Sequence, residues 1–321
     1  MSRPLLSVIV SAYNMATFVR ESLESALAQT WENIEVIVVD DGSSDDTARQ
    51  LRAIEDDRLR CYYEPHRGHA AAVNTGIAAA AGSYVAFLDA DDLWAPAKIE
   101  THLRFHEQHP EADMTFSLSS TIDEHGRVLD PPPISGGGPV SLRELLVENV
   151  VRNGSAAVLR RDALDRVGWF DAGLKRCGDL DLWLRIALLR PNNIHCIPEV
   201  LTHYRRRPSQ LSSDWRQMRT GWERVVAKAQ MVVPDLVSET RREREVNNYR
   251  YFASLAYEAK QFREGLGLLL KGFRRSPFLF LRDSRNPLVG AACLAGFLLP
   301  AGVQAGLDRY ARRIRWKAAA G

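Results

Sequence analysis

The stretch VIVVDDGSSDDT (residues 36–47) decides the fold. Its first four residues are apolar and β-branched, which suits a strand covered on both faces. That strand stops abruptly at Asp40 and Asp41. Gly42 then breaks it, and Ser43, Ser44, Asp45 and Asp46 offer caps for a following helix. A strand, a turn and a capped helix would account for these residues. Carboxylates at the carboxyl end of a buried strand are also where open α/β sheets receive ligands. The neighbouring segments decide between the two readings.

Upstream, LLSVIVSAY (5–13) is a second strand of the same kind, and TFVRESLESALAQ (17–29) has helical spacing with Phe18, Leu23, Ala26 and Leu27 toward one side. Downstream, a helix is predicted from about Asp45, a short strand at LRCYY (59–63) and a helix at AAAVNTGIAAAAG (70–82). A strand, SYVAFLDADD (83–92), follows and again ends in carboxylates. Strand–helix alternation of this kind implies an α/β fold with a parallel, doubly wound sheet and right-handed crossovers. It brings the two acidic strand ends, Asp40 with Asp41 and Asp89 with Asp91 and Asp92, to one edge. Capping alone does not explain that coincidence.

From residue 112 the pattern changes. ADMTFSLSSTIDEHGRVL (112–129) predicts antiparallel strands about a His125-Gly126 turn, and PPPISGGGP (131–139) a loop long enough to flank a site. SAAVLRR (155–161) and IHCIPEVLTHYRR (194–206) supply further strands. GDLDLWLRIALLR (178–190) reads as a helix entered through a cap at Asp179, and from Asp214 nearly everything is helical.

The 321 residues are 45% hydrophobic and 26% charged, enough for one large domain or two smaller ones. Cys61, Cys177, Cys196 and Cys293 are scattered, without CxxC or metal-ligand spacing, which fits a reduced cytoplasmic setting. The apolar run in MSRPLLSVIVSAYN is too short for a signal peptide and reads as the first strand. The net charge of +2 hides an asymmetry: residues 241–321 carry 16 Lys and Arg against 6 Asp and Glu, a net +10, which leaves −8 for the rest. A basic tail on an acidic body that lacks a nucleic-acid module points to an anionic membrane surface rather than nucleic acid.

Six segments in order carry a resemblance: SVIVSAYN (7–14), VDDGSSDDT (39–47), HRGHAAAVNTGI (66–77), YVAFLDADDLWAP (84–96), GDLDLWLRIA (178–187) and HYRRRPSQLS (203–212). Together, over residues 5–215, they resemble the family-2 glycosyltransferases, inverting enzymes with the GT-A fold. The resemblance implies a GT-A, Rossmann-like, mostly parallel sheet with flanking helices in residues 1–213. Residues 1–110 would hold a nucleotide-sugar donor and 111–213 the acceptor, with a helical region in 214–321. It implies transfer of a sugar from a nucleotide diphosphate, a UDP-sugar, to an acceptor hydroxyl on a saccharide or lipid-linked acceptor, in cell-surface polysaccharide or glycolipid assembly.

The resemblance also assigns roles. Ala12, Tyr13 and Asn14 fall in the donor-binding segment, and Asp41 matches the carboxylate that accepts the uracil ring N–H. Asp89 and Asp91 form a DxD whose hard oxygen donors suit Mn2+ or Mg2+, with Asp91 the direct ligand and Asp89 near ribose and metal. Asp92 is read instead as a cap for a helix at 95–109. Asp179 is the catalytic base, with Asp181 its rival. Arg205 and Arg207 would grip a phosphate; Arg207 stands where His is common and has no lone pair for a metal. Val73 stands where the family often has a basic residue, which leaves Arg67 as a substitute. Trp94 and Trp183 read as packing residues, Trp94 close enough to the DxD to line the site.

In the tail, residues 247–277 resemble a tetratricopeptide-type hairpin, too little alone for a solenoid. The apolar run LVGAACLAGFLLPAGV (288–303) is shorter than a bilayer span, with Arg282 and Arg285 before it and Arg309, Arg312, Arg313, Arg315 and Lys317 after. An interfacial helix peripheral to the inner membrane face and a buried helix both fit. A different class of function stays open: a nucleotide-sugar-binding protein without catalysis, acting through its helical tail. A nicotinamide-dependent oxidoreductase is opposed by the lack of GxGxxG after the first strand.

Overall fold

The computed structural model describes residues 3–130, 137–207 and 210–299. The expected loop at 131–139 lies mostly outside these, as do Pro208 and Ser209 and the tail from Pro300 on, including Val303, Arg309, Arg312, Arg313, Arg315 and Lys317. The chain forms two compact units, one of residues 1–142 and 151–205, the other of 143–150 and 206–321. This partition differs from a single break at 213/214. The second unit begins directly after the last strand and recruits a short segment from the middle of the chain.

The first unit holds a sheet of β1 (Leu6–Ala12), β2 (Ile34–Asp41), β3 (Leu59–Glu64), β4 (Tyr84–Asp89), β5 (Leu93–Trp94), β6 (Met114–Ile122), β7 (Val128–Asp130), β8 (Gly138–Val140), β9 (Ala157–Arg160) and β10 (Ile194–Arg205). The strand order is β3-β2-β1-β4-β9-β6-β10-β5, with β7 on β6 and β8 on β10. The β3-β2-β1-β4 half is wholly parallel, as the alternation predicts. β9 enters antiparallel between β4 and β6, so the sheet is mixed, with β3-β2-β1-β4 as its parallel half. After β3 the chain returns to the far side of β1 to make β4. The strand order therefore reverses at the β1–β4 crevice, where ligands bind in such sheets.

Between the strands run α1 (Val19–Leu27), α2 (Thr47–Arg52), α3 (His69–Ala79) and α4 (Lys98–Gln108). The core under β1, β2 and β4 is built from Val8, Val10, Val36, Val38, Leu88, Leu23 and Ile99. One side of α4 is unusual in being polar and buried. Lys98 Nζ donates to the Ala156 carbonyl at 3.0 Å and lies 3.3 Å from both Ser117 Oγ and His102 Nε2. His102 and His106 both meet the Thr115 hydroxyl, at 2.7 and 3.1 Å. Burial pushes the Lys98 pKa well down and that of His106 from 6.5 to about 4.

A pH effect follows from His106. Between pH 6.5 and about 4 the unfolded chain takes up a proton that the folded chain refuses, so stability falls as pH drops through this window. The full effect is on the order of 3 kcal/mol, from about 1.4 kcal/mol per unit. Urea midpoints at pH 7 and 4.5 should fall less in His106→Leu than in the native protein. Equal falls would show that the imidazole is not the group being charged.

The second unit contains α5 (Leu142–Val147, except its first residue), α8 (Trp215–Val232), α9 (Pro234–Glu239), α10 (Arg241–Glu258), α11 (Phe262–Arg275), α12 (Pro277–Arg282) and α13 (Arg285–Leu298); α6 (Arg161–Val167) and α7 (Gly178–Ala187) belong to the first. The expected hairpin is α10 with α11, packed through Val246, Phe252, Ala253, Leu268 and Leu269. Arg285 is exposed but held by Glu148 and Asp283, so it is an ion-paired residue rather than a free basic flank.

Candidate active site

The carboxyl ends of β1, β2 and β4 lie side by side: Ala12 is in register with Asp40, and Ser11 with Asp89. Past β1, Tyr13 is exposed and Asn14 adopts a left-handed φ of 54°. Asn14 Oδ1 accepts from the Ser44 N–H at 2.9 Å, and the Asn14 N–H donates to Ser43 Oγ at 2.9 Å. Met15 donates to Thr47 Oγ1 and Ala16 to Asp45 Oδ2. The SSDDT run therefore ties the β2 loop to the β1 loop. Burial would raise the Asp45 pKa, but hydrogen bonds from Thr47 and Ala16 outweigh it and hold the carboxyl below its usual range.

Asp41 is buried at the tip of β2. Gly42 next to it has a φ of 72°, and a Cβ there would sit 2.7 Å from the His66 nitrogen, so only glycine lets the loop after β3 press this close. That loop supplies the donors to Asp41: the Arg67 N–H at 2.7 Å, the Gly68 N–H at 2.9 Å and His66 Nδ1 at 2.8 Å. The His66 ring also stacks on Tyr13, with centroids 4.2 Å apart. Arg67 turns its guanidinium to Glu64 and Thr75.

His69 opens α3, with Nδ1 2.8 Å from Ser11 Oγ. Part of the residue reaches solvent, yet the protein crowding its ring lowers its pKa, against an upward pull from Asp179, then Asp41, then Asp91. Three carboxylates, from α7, β2 and the loop after β4, thus act on one imidazole.

α7 is entered through Cys177, whose φ of 60° is left-handed, with no side-chain cap. Asp179 is therefore the second residue of the helix and not its cap, and it is half-buried. Asp181 is buried and accepts from Arg185 Nε at 2.9 Å, while Arg185 also donates to the carbonyls of Val167, Gly168 and Trp169. Asp181 thus serves the helix anchor, which leaves Asp179 as the carboxylate of this turn whose field reaches the site. Asn74 secures the preceding loop, exchanging two hydrogen bonds with the Phe170 backbone at 2.8 and 3.0 Å.

The DxD loop departs from expectation at two residues. Asp92 does not cap a helix, because α4 starts only at Lys98. It is buried and accepts from Ser155 Oγ at 2.6 Å and the Arg205 N–H at 2.8 Å. Burial, then the fields of Asp91 and Asp89, push its pKa well up. Arg205 is buried too, and its guanidinium makes four hydrogen bonds within the first unit. Nε donates to the Asp91 carbonyl at 2.7 Å, Nη1 to the carbonyls of Asp123 and Glu124, and Nη2 to Glu21. In this structure Arg205 is a brace for the DxD loop, not a hand held out to a phosphate. Arg207 falls in the second unit, where its N–H donates to Gln210. Trp94 is buried with Nε1 on the Ser155 carbonyl, and Trp183 is wholly buried, so both are packing residues; Val73 is buried as well.

Ala12, Tyr13, Asn14, Asp41, Asp89, Asp91 and Asp179 thus all belong to the first unit, most of them along one sheet edge. His66, His69 and Ser155 had no assigned role in the sequence. The two histidines sit in the HRGH run, where the only available signal was an unexplained pair of imidazoles beside a glycine.

Among the described residues no group of three or more His, Cys, Asp or Glu side chains is arranged to hold a metal ion. The donor set at the DxD is two aspartates, the kind of partial shell that Mg2+ or Mn2+ completes with waters and phosphate oxygens. Burial is the main cause of the raised Asp92 pKa, but the fields of Asp91 and Asp89 add to it, and a divalent cation held by those two would offset that part. The residues present fit such an ion.

Residues 7–168 match the sequence profile of the Glycosyl transferase family 2. An uncharacterized glycosyltransferase of Rickettsia typhi is 30% identical over 243 residues, covering 72% of this chain and 75% of that protein. One of Rickettsia felis is 31% identical over 193 residues, 59% of this chain but only 32% of the relative's length. The Escherichia coli UDP-Glc:alpha-D-GlcNAc-diphosphoundecaprenol beta-1,3-glucosyltransferase WfaP is 35% identical over 153 residues, 46% of this chain and 60% of that enzyme. Among solved structures, Staphylococcus aureus TarS 1–349 in complex with UDP-GlcNAc superposes with a TM-score of 0.61 at 17% identity, covering 91% of each chain, and shows the same GT-A-like fold. On its sequence profile and its relatives, this chain belongs to glycosyl transferase family 2.

Proposed function

We propose that the protein is a metal-dependent, inverting glycosyltransferase that moves a sugar from a UDP-sugar to a hydroxyl of a lipid-linked saccharide. The observation that carries this reading is the register of β2 and β4 on either side of β1, which sets their acidic ends together at the strand-order reversal, with His69 bonded to Ser11 beside them and within the field of Asp179. The donor and acceptor classes are supported by WfaP, whose name gives UDP-glucose and a diphosphoundecaprenol-linked sugar, and by the UDP-GlcNAc bound to TarS.

Asp41 accepts the ring N–H of the base over the face of Tyr13. His66 already makes both of those contacts and turns aside as the base enters. Asp89 and Asp91 would hold the divalent cation, which supplies positive charge against the leaving diphosphate. Asp179 takes the proton of the acceptor hydroxyl as its oxygen bonds to the anomeric carbon from the side opposite the diphosphate. The bond from that carbon to the diphosphate oxygen breaks with inversion, and the nucleoside diphosphate leaves.

The donor reading is tested by titrating UDP into the native protein and Asp91→Asn, with Mn2+ and with a chelator. Native protein should bind UDP more tightly with Mn2+, and the variant should lose that gain while keeping its melting temperature. Identical affinities in all four mixtures would remove both Asp91 and the metal from the site. For turnover, nucleotide sugars are offered with a diphosphoundecaprenol-linked saccharide; no release of UDP from any UDP-sugar would sink the proposed donor class.

A further inference from the structure

The outer face of α13 is apolar from end to end. Around this helix Asn286, Cys293 and Gly296 point inward and are buried, while Pro287, Leu288, Ala291, Leu294, Phe297 and Leu298 form the opposite, exposed half. Leu288 is 67% exposed and Leu298 65%. The inner half is firmly seated: a Cβ on Gly296 would meet the Phe262 ring at 2.5 Å, and one on Gly265 of α11 would meet Cys293 Sγ at 2.7 Å. Next to it α12 buries Phe280 and exposes Phe278, at 73%, and Leu281, at 64%. A helix apolar on all sides belongs inside a core or against a nonpolar phase, and α13 satisfies only half of that requirement with protein.

The net charge of the neighbouring sequence selects the other phase. Lys271, Arg274 and Arg282 are exposed on or beside these helices. The one acid between residues 271 and 299 is Asp283, and it is already engaged by Arg285 and Arg250. The sequence beyond, residues 300–321, adds five basic residues against one acid. Among the described residues no helix is long and apolar enough to cross a membrane. We propose that the outer face of α12 and α13 is a docking surface for an anionic phospholipid bilayer: Phe278, Leu281, Leu288, Leu294 and Leu298 enter the acyl boundary and the surrounding Lys and Arg meet the phosphates. This proposal stands independently of the donor and acceptor reading.

Removing residues 283–321 would not test it, because that deletion also strips the inner half of α13 from the core. Leu288→Glu with Leu294→Glu alters only exposed positions. The full-length protein and this double variant are sedimented with vesicles of equal parts phosphatidylglycerol and phosphatidylcholine, and with pure phosphatidylcholine. The native protein should pellet with the anionic vesicles at low salt and at least about tenfold less at 1 M salt, where the screening length drops to ~3 Å. The double variant should stay in the supernatant while keeping its melting temperature and native mass. Native protein that remains in the supernatant at low salt overturns the proposal, as does a double variant that pellets like the native. A native dimer that the double substitution converts to monomer, with no vesicle binding by either, would instead assign the face to a second copy of the chain.

Discussion

Asp179→Asn is expected to lower turnover by at least about 10²-fold while leaving UDP affinity nearly unchanged, the scale at which general-base assistance is lost. Asn keeps the shape of the side chain but takes up no proton at neutral pH. The helix should tolerate the change, because Asp179 is half-buried in the first turn and the entry of α7 is set by Cys177 and not by a side-chain cap. Asp181→Asn makes the contrast. It weakens the pair with Arg185, which fastens α7 to the carbonyls of Val167, Gly168 and Trp169, so it should lower the melting temperature and leave most of the activity of the folded fraction. Turnover and urea midpoints on both variants separate the two. Were Asp181→Asn the inactive protein at native stability, the base would lie one half-turn further along the helix.

Arg205→Met should be among the most destabilising single changes in the first unit, at about 3–5 kcal/mol, the range for removing one partner from a buried charged network. The guanidinium spends its donors on the carbonyls of Asp91, Asp123 and Glu124 and on Glu21. Met fills similar volume but leaves three carbonyls without that partner, each an added cost. Arg205→Lys should recover only part of the loss, since one ammonium cannot reach oxygens that lie around a planar fork. The check is the urea midpoint at constant slope, read beside UDP affinity in Mn2+. A brace predicts a large fall in the midpoint. A direct phosphate ligand predicts a native midpoint with weakened UDP binding, and that result would restore the role implied by the family resemblance.

Arg205 marks where sequence reading stopped. Its basic neighbours and its place in HYRRRPSQLS made a phosphate grip the natural reading, and nothing local shows that Asp91, Asp123, Glu124 and Glu21 converge on it from three separate segments. Asp92 failed for the same reason. Three residues before a helix it looks like a cap, and only the arrival of Ser155 and the end of β10 shows its carboxylate turned inward. His66 and His69 show no role within the HRGH run itself, because a stacking partner and a carboxylate contact are pairwise facts between distant loops.

The sequence by itself determined the elements and the edge on which the chemistry gathers. Apolar β-branched runs ending in Asp, with helical stretches between them, specify parallel strands whose acidic tips must share one side, because each crossover returns every strand in the same direction. It also determined that the run at 288–303 needs a nonpolar neighbour, since composition alone fixes that cost. Tertiary structure decided which polar side chains remain available. Whether an Asp or Arg faces a ligand or is spent within the protein depends on donors and acceptors delivered from far along the chain, and burial makes each such pairing obligatory. It likewise decided that α13 is half core and half exposed, because the division of an all-apolar helix is set by what packs against it and leaves no mark in its own residues.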